Sequence, residues 1–108
     1  MKFEWDAEKE KTNRQKHKIT FLEACYVFAD KYMLALYDEE HSGDEDRWIT
    51  IGQSLSGGIL VVVHTYRKIK GKESVRIISA RKATKHEEKQ YAERKEYLHE
   101  KRIRLFSG

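Results

Sequence analysis

Apolar positions in the second half of the chain fall into runs of strand length separated by glycine-bearing turns. The longest is Ile59-Leu60-Val61-Val62-Val63, an uninterrupted run that suits a strand covered on both faces. Gly57-Gly58 precedes it, and β-branched residues on both sides of that pair predict a hairpin. The run continues through His64-Thr65-Tyr66-Arg67, turns across Lys68 to Lys72 around Gly71, and returns as Ser74 to Arg81. Upstream, Arg47 to Ser54 alternates, as does Tyr32 to Asp38, with Tyr32, Leu34 and Leu36 opposed to Met33, Ala35 and Tyr37. Four strands joined by successive hairpins make an antiparallel meander. Parity places Val61, Val63, Thr65 and Arg67 on one face of the third strand. In the last strand it groups Val75, Ile77, Ser79 and Arg81 against Arg76 and Ile78.

Helical signals lie at both ends. Asp6 is placed to cap a helix from Ala7 to about His17. That helix has almost no apolar stripe, so it must be held from its ends, by Phe3 and Trp5 before it and Ile19 and Phe21 after it. Thr20-Phe21-Leu22-Glu23 is a capping box opening a second helix that buries Phe21, Leu22, Cys25 and Phe28 and ends at Ala29-Asp30-Lys31. A further box, Thr84-Lys85-His86-Glu87, opens a helix from Lys85 to about Lys101. The pattern predicts an α+β fold in one domain spanning residues 1–108, with two N-terminal helices, a four-stranded meander and a C-terminal helix. The core runs over about 3–100, followed by a basic tail, 101–108.

Composition narrows this picture. The chain has 108 residues, 37% of them charged, with a net charge of +4; both signs are abundant, so the bias toward an anionic partner is modest. A single cysteine, Cys25, rules out an internal disulfide and fits a reducing compartment. Set between Ala24 and Tyr26-Val27-Phe28, it reads as a packed thiol. No apolar run approaches the ~20 residues of a membrane span and the N-terminus has no signal-peptide core, so a cytoplasmic location is expected. The loop Asp38 to Asp46 is acidic, with no lysine or arginine. Its spacing matches no EF-hand, and no metal or cofactor is expected.

The residue types suit a polyanion. Cleavage of RNA by its own 2′-hydroxyl needs a base, cations for charge building on the phosphate, and an acid for the leaving oxygen. Arginine serves the second need through bidentate contacts, and Arg67, Arg76 and Arg81 lie on adjacent strands of one hairpin. His41, His64 and Lys9 are candidates for proton transfer, and Trp5 and Tyr66 for stacking on bases. Each has a plainer reading. Arg76 and Arg81 would also blunt an edge strand, His64 would also be a core residue, His41 would also brace its loop, and Lys9 would also be a solvated lysine. From the residues alone, the chain is a basic, sheet-centred domain suited to nucleic acid.

Taken in order, a set of short motifs resembles the BrnT family of bacterial type II toxins. They are Phe3-Glu4-Trp5-Asp6 with Lys9, Asn13 and Lys16-His17; Phe21-Leu22-Glu23-Ala24 with Val27-Phe28; and His41-Ser42 followed by Glu45 and Arg47. Next come Ile51-Gly52-Gln53-Ser54, Leu60-Val61-Val62-Val63, and Arg76-Ile77-Ile78-Ser79-Ala80-Arg81 with Glu88. The resemblance implies a RelE-like fold and a metal-independent endoribonuclease that cuts cellular RNA and arrests growth. It also implies a BrnA-like ribbon-helix-helix antitoxin, with operator DNA reached only through that complex. Carried onto this chain, it favours Lys9, Arg67, Arg76 and Arg81 as the phosphate-holding and catalytic set. His41 and Glu45 would take part, and Lys16 and Arg47 would join Trp5 and Tyr66 as RNA contacts. This chain departs from the family at Lys18, where members commonly have glycine, and at Lys31, where a proline is frequent. The alternative is a non-catalytic nucleic-acid-binding or repressor-complex module.

Overall fold

Both glycine-marked turns form where the pattern places them. In the computed structural model, which describes the backbone of residues 1–107 and the side chains of residues 1–101, the Ser54 N–H donates to the Gly58 carbonyl at 2.8 Å and Gly57 takes a φ of +94°. Lys70 and Gly71, at φ 52° and 78°, make a tight two-residue turn whose left-handed conformation matches the twist of its strands. The turns join β3 (Arg47–Gln53), β4 (Ile59–Ile69) and β5 (Lys72–Lys82), and β2 (Leu34–Tyr37) pairs antiparallel with β3. The expected meander is present, with β4 and β5 longer than expected because so tight a turn lets pairing continue to Ile69 and Lys72.

Two expectations are corrected. The sheet has five strands, because Lys2–Glu4 forms β1 and pairs in parallel with β5. The order is β1-β5-β4-β3-β2, so the sheet is mixed. Three residues are too few to show a period of two, and the partner of β1 lies far along the chain. The second expected helix is α-helical only over Phe21–Cys25 (α2) and tightens into a 3-10 turn over Tyr26–Ala29. The first, α1 (Ala7–His17), has the expected bounds, and α3 spans Lys85–Ser107.

A bulge alters the expected parity of β5. Val63 opposes Ser79 but His64 opposes Ile77, so Ile78 is an extra residue with no partner on β4. Beyond it the alternation is reset. Val75, Ile77 and Ala80 all point into the core with Leu60 and Val62, while Arg76 and Arg81, opposite Thr65 and Val61, share the other face. Sequence periodicity groups Arg81 with Val75 and Ile77; the inserted residue separates them.

The core occupies both faces of the sheet. On one, Phe21, Ala24 and Val27 pack on Leu60, Val62, Val75 and Ile77. Gly52 lets the 3-10 turn come close, since a Cβ there would lie 2.7 Å from Val27 Cγ1. On the other, the start of α3 covers Ile51 and Val61 with Tyr91. Tyr91 donates to Asp30 Oδ2 at 2.6 Å, and Asp30 also receives the N–H groups of Tyr32 and Gln53. Burial raises the Asp30 carboxyl, but these three hydrogen bonds outweigh it and hold the group below its ordinary value. The polar α1 is fixed by its caps and by one buried side chain. Asp6 accepts from the Glu8 and Lys9 N–H groups, Lys18 closes the C-terminus in the left-handed region, and Asn13 grips β5. Its amide donates to Ala80 O at 2.8 Å and accepts from Ala80 N at 3.1 Å. Asn13 thus does for the outer edge of β5 after the bulge what β1 does before it.

Candidate functional site

On the sheet face that carries α3, the half that α3 leaves open holds a charged row. Arg47 on β3 opposes Thr65 on β4, which opposes Arg76 on β5, which opposes Glu4 on β1. The helix α1 brings Lys9 to one side of this row and the β2–β3 loop brings His41, Gly43, Asp44 and Glu45 to the other. With Ile78 they enclose a cleft of about 410 Å³. Of the residues singled out from the sequence, Lys9, His41, Arg47, Arg76 and Glu45 therefore meet at one place.

The loop that delivers His41 is tied down by its own hydrogen bonds. Ser42 Oγ donates to Asp38 O at 2.6 Å and accepts from the Arg47 N–H at 2.9 Å, so it fastens both ends of the turn. His41 Nδ1 lies 3.0 Å from Asp38 Oδ2, which fixes the ring and leaves Nε2 for another partner. At the other wall, hydrogen bonds from the Lys9 and Glu8 N–H groups hold the Asp6 carboxyl below its ordinary range, and the charges of Lys9 and Arg76 lower it further. The α1 cap therefore stands within reach of the same cations.

Arg67 and Arg81 share this face but do not line the cleft. Arg67 pairs with Glu4 at 2.9 Å. Arg81 lies four β4 positions from the Arg76 row, about 13 Å along the sheet, where it forms a two-pronged pair with Glu87 of α3 at 2.7 and 2.8 Å. That pair drives the Glu87 carboxyl down to about 2, with burial opposing and the Thr84 cap assisting. By contrast, among the described residues none of Lys9, Arg47 and Arg76 forms an ion pair. Thr65, 2% exposed between the two cleft arginines, has a hydroxyl with no hydrogen-bond partner among the described residues. Sequence reasoning missed Thr65 and Ile78; only the register and the bulge mark them.

The remaining candidates lie elsewhere. His64 is fully buried on the opposite face, with Nε2 2.7 Å from Thr50 Oγ1, and burial pushes its pKa down to about 4. Its environment is that of a neutral core residue. Tyr66 stands on that opposite face too, edge-to-face with Trp48 and His64. Trp5 packs edge-on against Phe21, and Lys16 lies along α1 outside the cleft. Cys25 donates to Phe21 O, and burial raises its thiol. Among the described residues no three His, Cys, Asp or Glu side chains gather as a metal-binding group, and no helix is long and apolar enough to cross a membrane.

Comparison with known proteins agrees with the motif pattern. A search of curated proteins gives no match. Among solved structures, the crystal structure of the Brucella abortus ribonuclease toxin BrnT is similar in fold, with a TM-score of 0.58 and 22% identity over 79% of this chain and 99% of that one. Residues 5–87 match the family model described as "Ribonuclease toxin, BrnT, of type II toxin-antitoxin system". With most of its length matched, including every residue that lines the cleft, the chain belongs to the BrnT family of ribonuclease toxins of type II toxin–antitoxin systems.

Proposed function

We propose that this chain is a metal-independent endoribonuclease that cuts cellular RNA in the cytoplasm and arrests translation and growth. The observation carrying this reading is the contrast among the cations. Arg67 and Arg81, outside the cleft, are each paired to a carboxylate, whereas Arg47, Arg76 and Lys9 within it form no ion pair among the described residues. Unpaired arginines across a rigid strand row are suited to a phosphate that gains charge in the transition state. In the reaction the RNA 2′-oxygen attacks phosphorus and gives up its proton to a base. The bond to the 5′-oxygen breaks, that oxygen is protonated, and a 2′,3′-cyclic phosphate and a 5′-hydroxyl remain. His41, oriented by Asp38, and Glu45 are the groups placed to move these protons. Arg67 can reach a second phosphate by exchanging Glu4 for it, and Arg81 acts through α3 as an anchor. A BrnA-like antitoxin with a ribbon-helix-helix part would silence the toxin by covering the cleft and would contact operator DNA on behalf of the complex.

The test is purified protein incubated with total RNA in EDTA beside Arg76→Ala, with folding checked by circular dichroism. We expect fragments ending in cyclic phosphate from the wild type and a rate lower by about 10²- to 10³-fold in the variant. Intact RNA with the wild type would overturn free-standing cleavage and favour a non-catalytic binding module.

A further inference from the structure

Ile78 stands as a ridge between two hollows. One is the cleft just described. The other, of about 430 Å³, is bounded by Glu8, Thr12, Lys16 and His17 of α1 and by Ser79, and it shares Lys9 and Ile78 with the cleft. The bulge produces this arrangement. As the residue without a partner on β4, Ile78 is turned out of the core alternation and into the groove between β5 and α1. The two hollows differ in chemistry. The cleft is walled by charged groups, whereas the second has a mostly apolar lining with Lys9, Lys16 and His17 around it and Glu8 as its carboxylate.

We propose that the second hollow is a nucleobase subsite, filled by the base of a nucleotide adjoining the phosphate held in the cleft. This rests on the ribonuclease reading of the cleft. A nucleotide has a flat apolar face and an anionic link to its neighbour, and stacking on such a surface is tolerant of sequence. An apolar floor at Ile78, rimmed by Lys9 and Lys16 and continuous with a phosphate cleft, matches both parts at once. The subsite also gives Lys16-His17 a role that the cleft leaves open: Lys16 meets the backbone phosphate that leads away from the base. RNA would therefore cross the bulge, with Ile78 between two successive nucleotides.

Thr12 is exposed on α1 and lines the hollow, so Thr12→Trp fills the subsite without entering the core. Lys11→Trp, on an exposed part of the same helix, controls for added bulk. Affinity is measured by fluorescence anisotropy with a labelled 2′-O-methyl hexaribonucleotide, which lacks the attacking hydroxyl and stays intact. Thr12→Trp is expected to weaken binding about tenfold, and Lys11→Trp to leave it as in the wild type. Equal affinity of Thr12→Trp and wild type would overturn the subsite. If that variant kept its RNA affinity but lost affinity for the antitoxin, the hollow would belong to the antitoxin instead. A wild type that binds the hexanucleotide with this Thr12→Trp effect yet leaves total RNA uncut would leave the subsite standing and overturn the nuclease reading. No binding by the wild type would overturn both.

Discussion

Lys18 holds a φ of 61° at the end of α1, where a Cβ is unfavourable and glycine is not. A glycine at this position would take that conformation without the strain. Lys18→Gly should therefore stabilise the fold by about 0.5–1 kcal/mol, read as a higher urea midpoint with an unchanged slope. His64 gives a second test. Its folded pKa of about 4 lies below the unfolded value of 6.5, so between the two the unfolded chain binds more protons. The stabilisation from neutral His64 is complete above 6.5 and is lost as pH falls toward 4. From pH 7 to pH 5 the wild type should lose about 2 kcal/mol that His64→Gln does not, measured by urea unfolding at the two pH values. An equal loss in both proteins would sink the assignment.

Elements of regular pattern were legible in the sequence and non-local ones were not. The Gly57-Gly58 and Gly71 turns, the run through Val63, and the caps at Asp6, Thr20 and Thr84 each signal through near neighbours, and all six form. The strand β1, the bulge at Ile78 and the grip of Asn13 on Ala80 depend on partners more than sixty residues away or on a single inserted residue, and no local period reports them. Asn13 is the most exacting of these, because it must donate to the Ile19 and Ala80 carbonyls and accept from the Ala80 N–H. Asn13→Asp keeps the acceptor and sets a carboxylate against the Ala80 carbonyl, so it should destabilise by about 3 kcal/mol. Thermal unfolding that matched the wild type would show that α1 does not rely on this contact. The helix α3 is fixed along one stripe, with Glu87 on Arg81, Tyr91 on Asp30 and Arg94 on the Met33 carbonyl. From Glu88 onward it lies beyond the residues matched by the family model.

At the scale of the molecule, Arg47, Arg67, Arg76 and Arg81 could be placed on one sheet face, with Lys9 and His41 beside it, only once the register was known. Periodicity shows which residues alternate, but the fold of the β2–β3 loop decides that His41 meets Arg47 and Arg76 while Arg81 lies under α3. That loop also sets Asp44 and Glu45 in the same cleft as three cations. The site thus carries built-in counterions. Among the described residues they form no ion pair with those cations, but from across the cleft their charge lowers its positive potential before RNA arrives, so fewer dissolved anions gather there. Binding then releases fewer salt ions than three phosphate contacts would, and the slope of log affinity against log salt should be shallower than the magnitude of about 2 expected for them on a single strand. Glu45→Gln should steepen that slope, as read from anisotropy over a salt series. RNA recognition by this toxin would in that case hold up at high ionic strength better than its cation count suggests.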